Sequence, residues 1–200
     1  VGKQRWALDG RPADCVFLAL NHLLDRRPDL VISGINSGPN LGYDTVYSGT
    51  AAAAREGVMN GIPSASFSLA DISDFDYGHC FEPTRKVLEG LYQNLPEPDT
   101  QINVNIPSER MFGKVRGYRD CALGSRVFAN TTDQWNDPRG GSYLWLGGWN
   151  LDMNGDEDSD THWIKQGYVT LTPLTWNMYH GKKRGFAKAL ARTLQNHEEE

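Results

Sequence analysis

The stretch Leu30-Val31-Ile32-Ser33-Gly34-Ile35-Asn36-Ser37-Gly38-Pro39-Asn40-Leu41-Gly42 decides the fold. Its opening, Leu30-Val31-Ile32, is short and continuously apolar, which suits a strand buried on both faces of a parallel sheet. Gly34 follows at once, and the small residues after it let a backbone approach a ligand closely. In open α/β sheets ligands bind beyond the carboxyl ends of the strands, where connections diverge. Asn36 and Asn40 bring to that edge carboxamide oxygens suited to a hard cation and N–H donors suited to a phosphate. A plainer reading stays open, in which this is a Gly/Asn-rich turn whose amides satisfy their own backbone.

Outward from this segment the chain alternates helix and strand signals at α/β spacing. Upstream, Pro12 opens a helix that Pro28 ends, and Cys15, Val16, Leu18, Ala19, Leu20, Leu23 and Leu24 form an apolar stripe expected to pack on a sheet. On that stripe Cys15 reads as a small core residue. Downstream, Ser48 caps a helix that runs to Met59, with Gly61 as a left-handed stop. Residues 63–69 read as a strand, 81–95 as a helix carrying Val87, Leu88, Leu91 and Tyr92, and 101–106 as an alternating strand. This rhythm predicts right-handed crossovers and helices on both faces of the sheet. Residues 1–110 form the expected α/β body.

From Phe112 onward Gly, Arg, Trp and Tyr become frequent. Asp137-Pro138-Arg139-Gly140-Gly141 is a strong turn signal, and the aromatic alternation at residues 143–146 predicts a projecting hairpin, either folded back or, as the favoured reading, used for contacts between subunits. Residues 167–173 read as a returning strand, and 185–196 as a closing helix with Phe186, Ala187, Leu190, Ala191 and Leu194 on one face. Residues 111–200 are therefore expected to supply hairpin extensions, one strand and a C-terminal helix.

A length of 200 residues fits one domain. The net charge of −5 argues against binding that rests on many phosphates of DNA or RNA, and Lys182-Lys183-Arg184 reads as a solvated helix start. Three cysteines without a C-x-x-C pair imply neither a disulfide framework nor a cysteine metal site, and fit the reducing cytoplasm. No apolar run approaches the ~18–20 residues that span a bilayer. Gly-Lys-Ser/Thr, G-x-G-x-x-G, G-x-S-x-G and H-E-x-x-H are all missing. Asp152-x-Asn154-x-Asp156 begins like a calcium loop, but Glu157 and Trp163 stand where that loop requires Gly and Glu, so it reads as an exposed hairpin tip.

Tyr47-Ser48-Gly49-Thr50-Ala51 adds a second element. A helix N-terminus flanked by two hydroxyls and a glycine suits a phosphate, because its unsatisfied N–H groups and the helix dipole both favour negative charge. Ordinary capping by Ser48 is the competing reading.

Six ordered blocks carry a resemblance across nearly the whole chain. They are Arg11-Pro12-Ala13-Asp14-Cys15-Val16, residues 31–42, Tyr47-Ser48-Gly49-Thr50-Ala51-Ala52, Asn103-Val104-Asn105-Ile106-Pro107, Asp137-Pro138-Arg139-Gly140 and residues 167–174. Together they resemble the SurE (survival protein E) 5′/3′-nucleotidases. The resemblance implies a Rossmann-like, three-layer α/β/α sandwich with protruding β-hairpins, and a C-terminal element exchanged in homodimers or homotetramers. It implies removal of phosphate from nucleoside monophosphates with a divalent cation, Mg²⁺ or Mn²⁺. Carried over by position, Asn36 is the metal ligand, and Asn40, Ser48, Gly49 and Thr50 hold the substrate phosphate; no catalytic acid is assigned.

One departure is large. The family's strand ending in Asp-Asp-Gly, whose aspartates hold the metal, and a later Ser ligand fall upstream of the counterpart of Val1. Nothing in the 200 residues replaces them. A single neutral carboxamide does not hold Mg²⁺ or Mn²⁺, so the expectation is a longer polypeptide whose latter portion this is. The rival expectation is a non-catalytic nucleotide- or phosphate-binding oligomer of the same fold.

Overall fold

The computed structural model describes residues 5–71, 76–125, 128–151 and 156–196. Three parallel strands stand side by side, β1 (Val31–Ser37), β2 (Ser64–Ala70) and β3 (Gln101–Pro107). A later strand, β7 (Tyr168–Leu174), joins β3 in antiparallel pairing, and β4 (Gly117–Asp120) lies parallel to β7. Among the described residues the order is β1-β2-β3-β7-β4. A separate two-stranded sheet pairs β5 (Phe128–Asn136) with β6 (Ser142–Leu151). The predicted turn joins them, with Asp137 accepting the backbone N–H groups of Arg139 and Gly141. The acidic stretch at residues 152–155 lies outside the described residues.

The two-residue period of the strands sorts the central sheet into unlike faces. In β2 and β3 one face carries Ala65, Phe67, Leu69, Val104 and Ile106; the helix α3 (Phe81–Gln93) lays Val87 and Leu91 on it. The opposite face carries Ser64, Ser66, Ser68, Gln101, Asn103 and Asn105, all buried. It is covered by α2 (Gly49–Met59), onto whose Ala51 carbonyl Gln101 Nε2 donates at 3.1 Å. Gly57 of α2 approaches so closely that a Cβ there would collide with Ser64 Oγ and come within 2.9 Å of Val31 Cβ. The result is the expected Rossmann-like α/β arrangement, a mostly parallel sheet with helices on both faces.

Handedness departs from expectation. The strands β1, β2 and β3 step in one direction across the sheet, yet α2 and α3 cover opposite faces, so the two crossovers have opposite hands and cannot both be right-handed. Composition accounts for this. The apolar stripe of α3 is buried only against the Phe67/Val104 face, because the other face is polar and already occupied by α2.

Two further readings are corrected. The strand β1 is the outermost of the described sheet, so Ile32 is 49% exposed rather than covered on both sides. The helix α1 (Pro12–Leu18) has no fully buried residue; it leans on α2 instead of on a sheet, and Cys15 is exposed. With β1 at the edge, no described strand lies beneath the α1 stripe. The helix predicted at 48–59 is capped as expected, Ser48 Oγ accepting the Ala51 N–H at 3.0 Å, and Gly61 takes the left-handed stop at φ 68°. The closing helix α6 (Arg184–Asn196) presents Phe186, Leu190 and Leu194 to solvent, and Trp135, Tyr143, Leu144 and Trp145 are exposed on the hairpin. Among the described residues no helix is long and apolar enough to cross a membrane.

The closeness of α2 to the sheet fixes the sign of one substitution. Gly57→Ala should cost about 1–3 kcal/mol of stability in urea unfolding, because overpacking exceeds the helix-propensity gain of up to about 1 kcal/mol. Unchanged or increased stability would show that α2 has room to move away.

Candidate active site

Register places the carboxyl ends of β1, β2 and β3 level with one another, Asn36 opposite Ser68 and Ala70 opposite Pro107. Asn36 is thus the penultimate residue of β1, not a loop residue, and it is half-buried. Its Nδ2 donates to the Gly38 carbonyl at 2.9 Å, which turns Oδ1 toward the start of α2, where Thr50 Oγ1 donates to it at 3.2 Å. The structure therefore brings together the two segments singled out separately in the sequence. Ser48 caps α2, Gly49 is exposed, and Thr50 is buried with its hydroxyl at the Asn36 carboxamide. A helix start, two hydroxyls and a carboxamide converge on one side of the Asn36 strand end.

Asn40 lies deeper, beneath the loop. Its Nδ2 donates to Ser68 Oγ at 2.7 Å, and its peptide is held by the β3 asparagines. Asn105 Oδ1 accepts the Asn40 N–H at 2.9 Å, while Asn103 Nδ2 and Asn105 Nδ2 donate to the Asn40 carbonyl at 2.8 and 3.0 Å. These carboxamides satisfy a buried peptide much as a neighbouring strand would. The signal was available: Asn103-Val104-Asn105 alternates with the period of a strand and places both amides on one buried face.

The far end of the loop is clamped by a residue without local signal. Asp160 opens the short helix α5 (Asp160–Lys165) and is fully buried. Its Oδ2 accepts the Gly42 N–H at 2.9 Å and its Oδ1 the Gly124 N–H at 2.8 Å. Burial raises this carboxyl above its ordinary value, while the N–H groups of Gly42, Gly124 and Thr161 pull it back. Burial, reinforced by the Asp160 charge, pushes the Cys121 thiol up to about 12, and burial pushes Cys80 up to about 11, so neither is a ready nucleophile.

The sequence model of the family described as survival protein SurE matches residues 1–130. The chain belongs to the SurE family. The 5′-nucleotidase SurE of Pelotomaculum thermopropionicum is 42% identical over 191 residues, covering 95% of this chain and 72% of that protein. The 5′-nucleotidase SurE of Synechococcus elongatus is 43% identical over 186 residues, covering 88% and 70%. The crystal structure of the SurE protein from Aquifex aeolicus superposes with a TM-score of 0.76 at 33% identity, covering 92% of this chain and 74% of that one.

Within this SurE chain the described residues do not by themselves fit a divalent cation. Asn36 offers one neutral carboxamide oxygen, and among the described residues no three His, Cys, Asp or Glu side chains converge as a metal site. Hard cations of this kind require anionic oxygens to offset dehydration.

The Asp160 clamp yields a prediction. Asp160→Asn replaces one acceptor by an NH₂ group, so whichever way the amide is turned, Gly42 or Gly124 loses its partner. Stability should fall by about 1–3 kcal/mol in urea unfolding; an unchanged midpoint would mean that the clamp does not hold the loop.

Proposed function

We propose that this chain acts as a nucleotidase, a phosphomonoesterase that hydrolyses nucleoside 5′-monophosphates, and 3′-monophosphates as well, to nucleoside and phosphate. The observation that carries the proposal is the Thr50–Asn36 contact, which joins an anion-suited helix start to the carboxyl edge of the sheet. Relatives more than 40% identical are 5′-nucleotidases, which supports the 5′ part of this reaction. In it the start of α2 receives the phosphoryl group. Backbone N–H groups of the first turn and the hydroxyls of Ser48 and Thr50 stabilise its oxygens, the Thr50 proton turning from Asn36 Oδ1 to the phosphate as substrate binds, and Gly49 leaves room for close approach. Asn40, fastened to Ser68, Asn103 and Asn105, fixes the height of the loop at the phosphate.

The proposal extends to a requirement for Mg²⁺ or Mn²⁺, with Asn36 as one ligand and anionic oxygens, those of the substrate among them, needed to complete the set. Assembly as a homodimer or homotetramer through the aromatic hairpin and α6 is supported by their exposed apolar side chains. Three unpaired cysteines support a cytoplasmic setting. A second reading, a nucleotide- or phosphate-binding oligomer without turnover, is favoured by one observation, the lack of converging anionic ligands among the described residues.

Phosphate release from a panel of nucleoside monophosphates separates the two. Turnover that disappears with a chelator and returns with Mg²⁺ or Mn²⁺ supports the metal-dependent enzyme; full activity in the chelator refutes the metal requirement, and binding without release establishes the second reading. Asn36→Ala should abolish turnover. Thr50→Val should raise KM by about 10- to 100-fold, the value of a hydrogen bond to a charged group; an unchanged KM would place the phosphate elsewhere.

A further inference from the structure

Beside the Asn36 strand end stands a charged pair that the phosphate site does not use. Asp71 directly follows β2, and its side chain is only 3% exposed. Ser108 Oγ donates to Asp71 Oδ2, and Arg110 donates from its guanidinium to Asp71 Oδ1 at 2.6 Å. Arg110 belongs to the short helix α4 (Glu109–Phe112), whose Phe112 packs against the buried cluster of Leu41, Ala70 and Ile164. The helix is thereby fixed to the sheet on one side while the Arg110 side chain stays 52% exposed on the other.

This pair lies next to the Asn36 loop. The N–H groups of Gly38 and Asp71 both donate to the Leu69 carbonyl, at 3.1 and 2.8 Å. A Cβ built on Gly38 would lie 3.9 Å from Asn36 Nδ2 and 3.9 Å from the Asp71 carbonyl oxygen. Asn36 and Gly38 at the end of β1 therefore lie beside Asp71 at the end of β2, on neighbouring strands about 4.8 Å apart in the pairing direction. Thr50 at the start of α2 contacts Asn36 on the first of these strand ends, and Arg110 contacts Asp71 on the second.

We propose that Arg110 binds the nucleoside half of the substrate; this rests on the nucleotidase reading of the neighbouring site. Chemistry selects the nucleoside over a second phosphate. Asp71 already balances the guanidinium charge, so the pair adds little net positive potential for another anion. What it offers is a planar, oriented cation, suited to stacking on a base and donating to ribose hydroxyls. The buried carboxylate holds the plane in place, which limits the entropy lost on binding.

The test uses the purified full chain and two kinds of ligand, adenosine 5′-monophosphate and glycerol 2-phosphate, which has neither base nor ribose. Arg110→Ala should raise KM for the nucleotide, and its Kd by calorimetry, by about tenfold. It should leave kcat within about twofold and the KM for glycerol 2-phosphate unchanged. Arg110→Lys separates binding from folding: it should recover the thermal midpoint by keeping the pair with Asp71, but not the nucleotide affinity. Unchanged nucleotide affinity in Arg110→Ala, equal loss for both ligands, or recovered affinity in Arg110→Lys would each overturn the assignment. If the wild-type protein binds the nucleotide without hydrolysing it, the nucleotidase reading fails while the tenfold change in Kd still decides the role of Arg110; if it binds no nucleotide, both fail.

Discussion

The structure depends on how a polar sheet face is made acceptable inside a protein. Ser64, Ser66, Ser68, Gln101, Asn103 and Asn105 are all buried on one side of β2 and β3, where each unsatisfied polar group would cost about 1–3 kcal/mol. They are satisfied chiefly by one another and by the peptide and side chain of Asn40. The loop that follows Asn36 is therefore folded down onto the sheet because the sheet has donors and acceptors to fill. The same bonds set the position of the loop, and with it the relation between Asn36 and Thr50. Stability and site geometry are consequences of one network.

That network also explains the electrostatic character of the site. A phosphate-handling centre here is built from carboxamides, hydroxyls and a helix start, in a chain of net charge −5. Such a centre needs no basic surface, because a helix N-terminus presents aligned donors to a single anion. Charge appears beside it as the compensated Asp71–Arg110 pair, which orients a planar group without adding a strong field.

Much of this was legible in the sequence, for identifiable reasons. The Ser48 cap, the Gly61 stop and the Asp137–Gly141 turn depend on interactions a few residues apart, and they formed where local chemistry required. Asn36 and the start of α2 were legible as loop-edge chemistry, although β1 runs farther than its apolar run implied. What failed depended on distant partners. The exposure of Cys15 and Ile32 follows from β1 standing at the edge of the described sheet, which the apolar pattern of these segments taken alone does not show. The opposite hands of the two crossovers follow from the contrast between the faces of β2 and β3, a competition in which burial of apolar surface outweighed chiral preference. The clamp from Asp160 to Gly42 spans 118 residues and leaves no local pattern to read.

The central claim is that the Asn40 network delivers Asn36 and the start of α2 to one phosphate. An amide NMR titration with inorganic phosphate tests it most directly. Saturable shifts confined to the backbone N–H groups of Gly49 and Thr50 and the side-chain NH₂ of Asn36, absent in Asn105→Ala, are the predicted result. Shifts centred elsewhere, or identical shifts once Asn105 is removed, would contradict it.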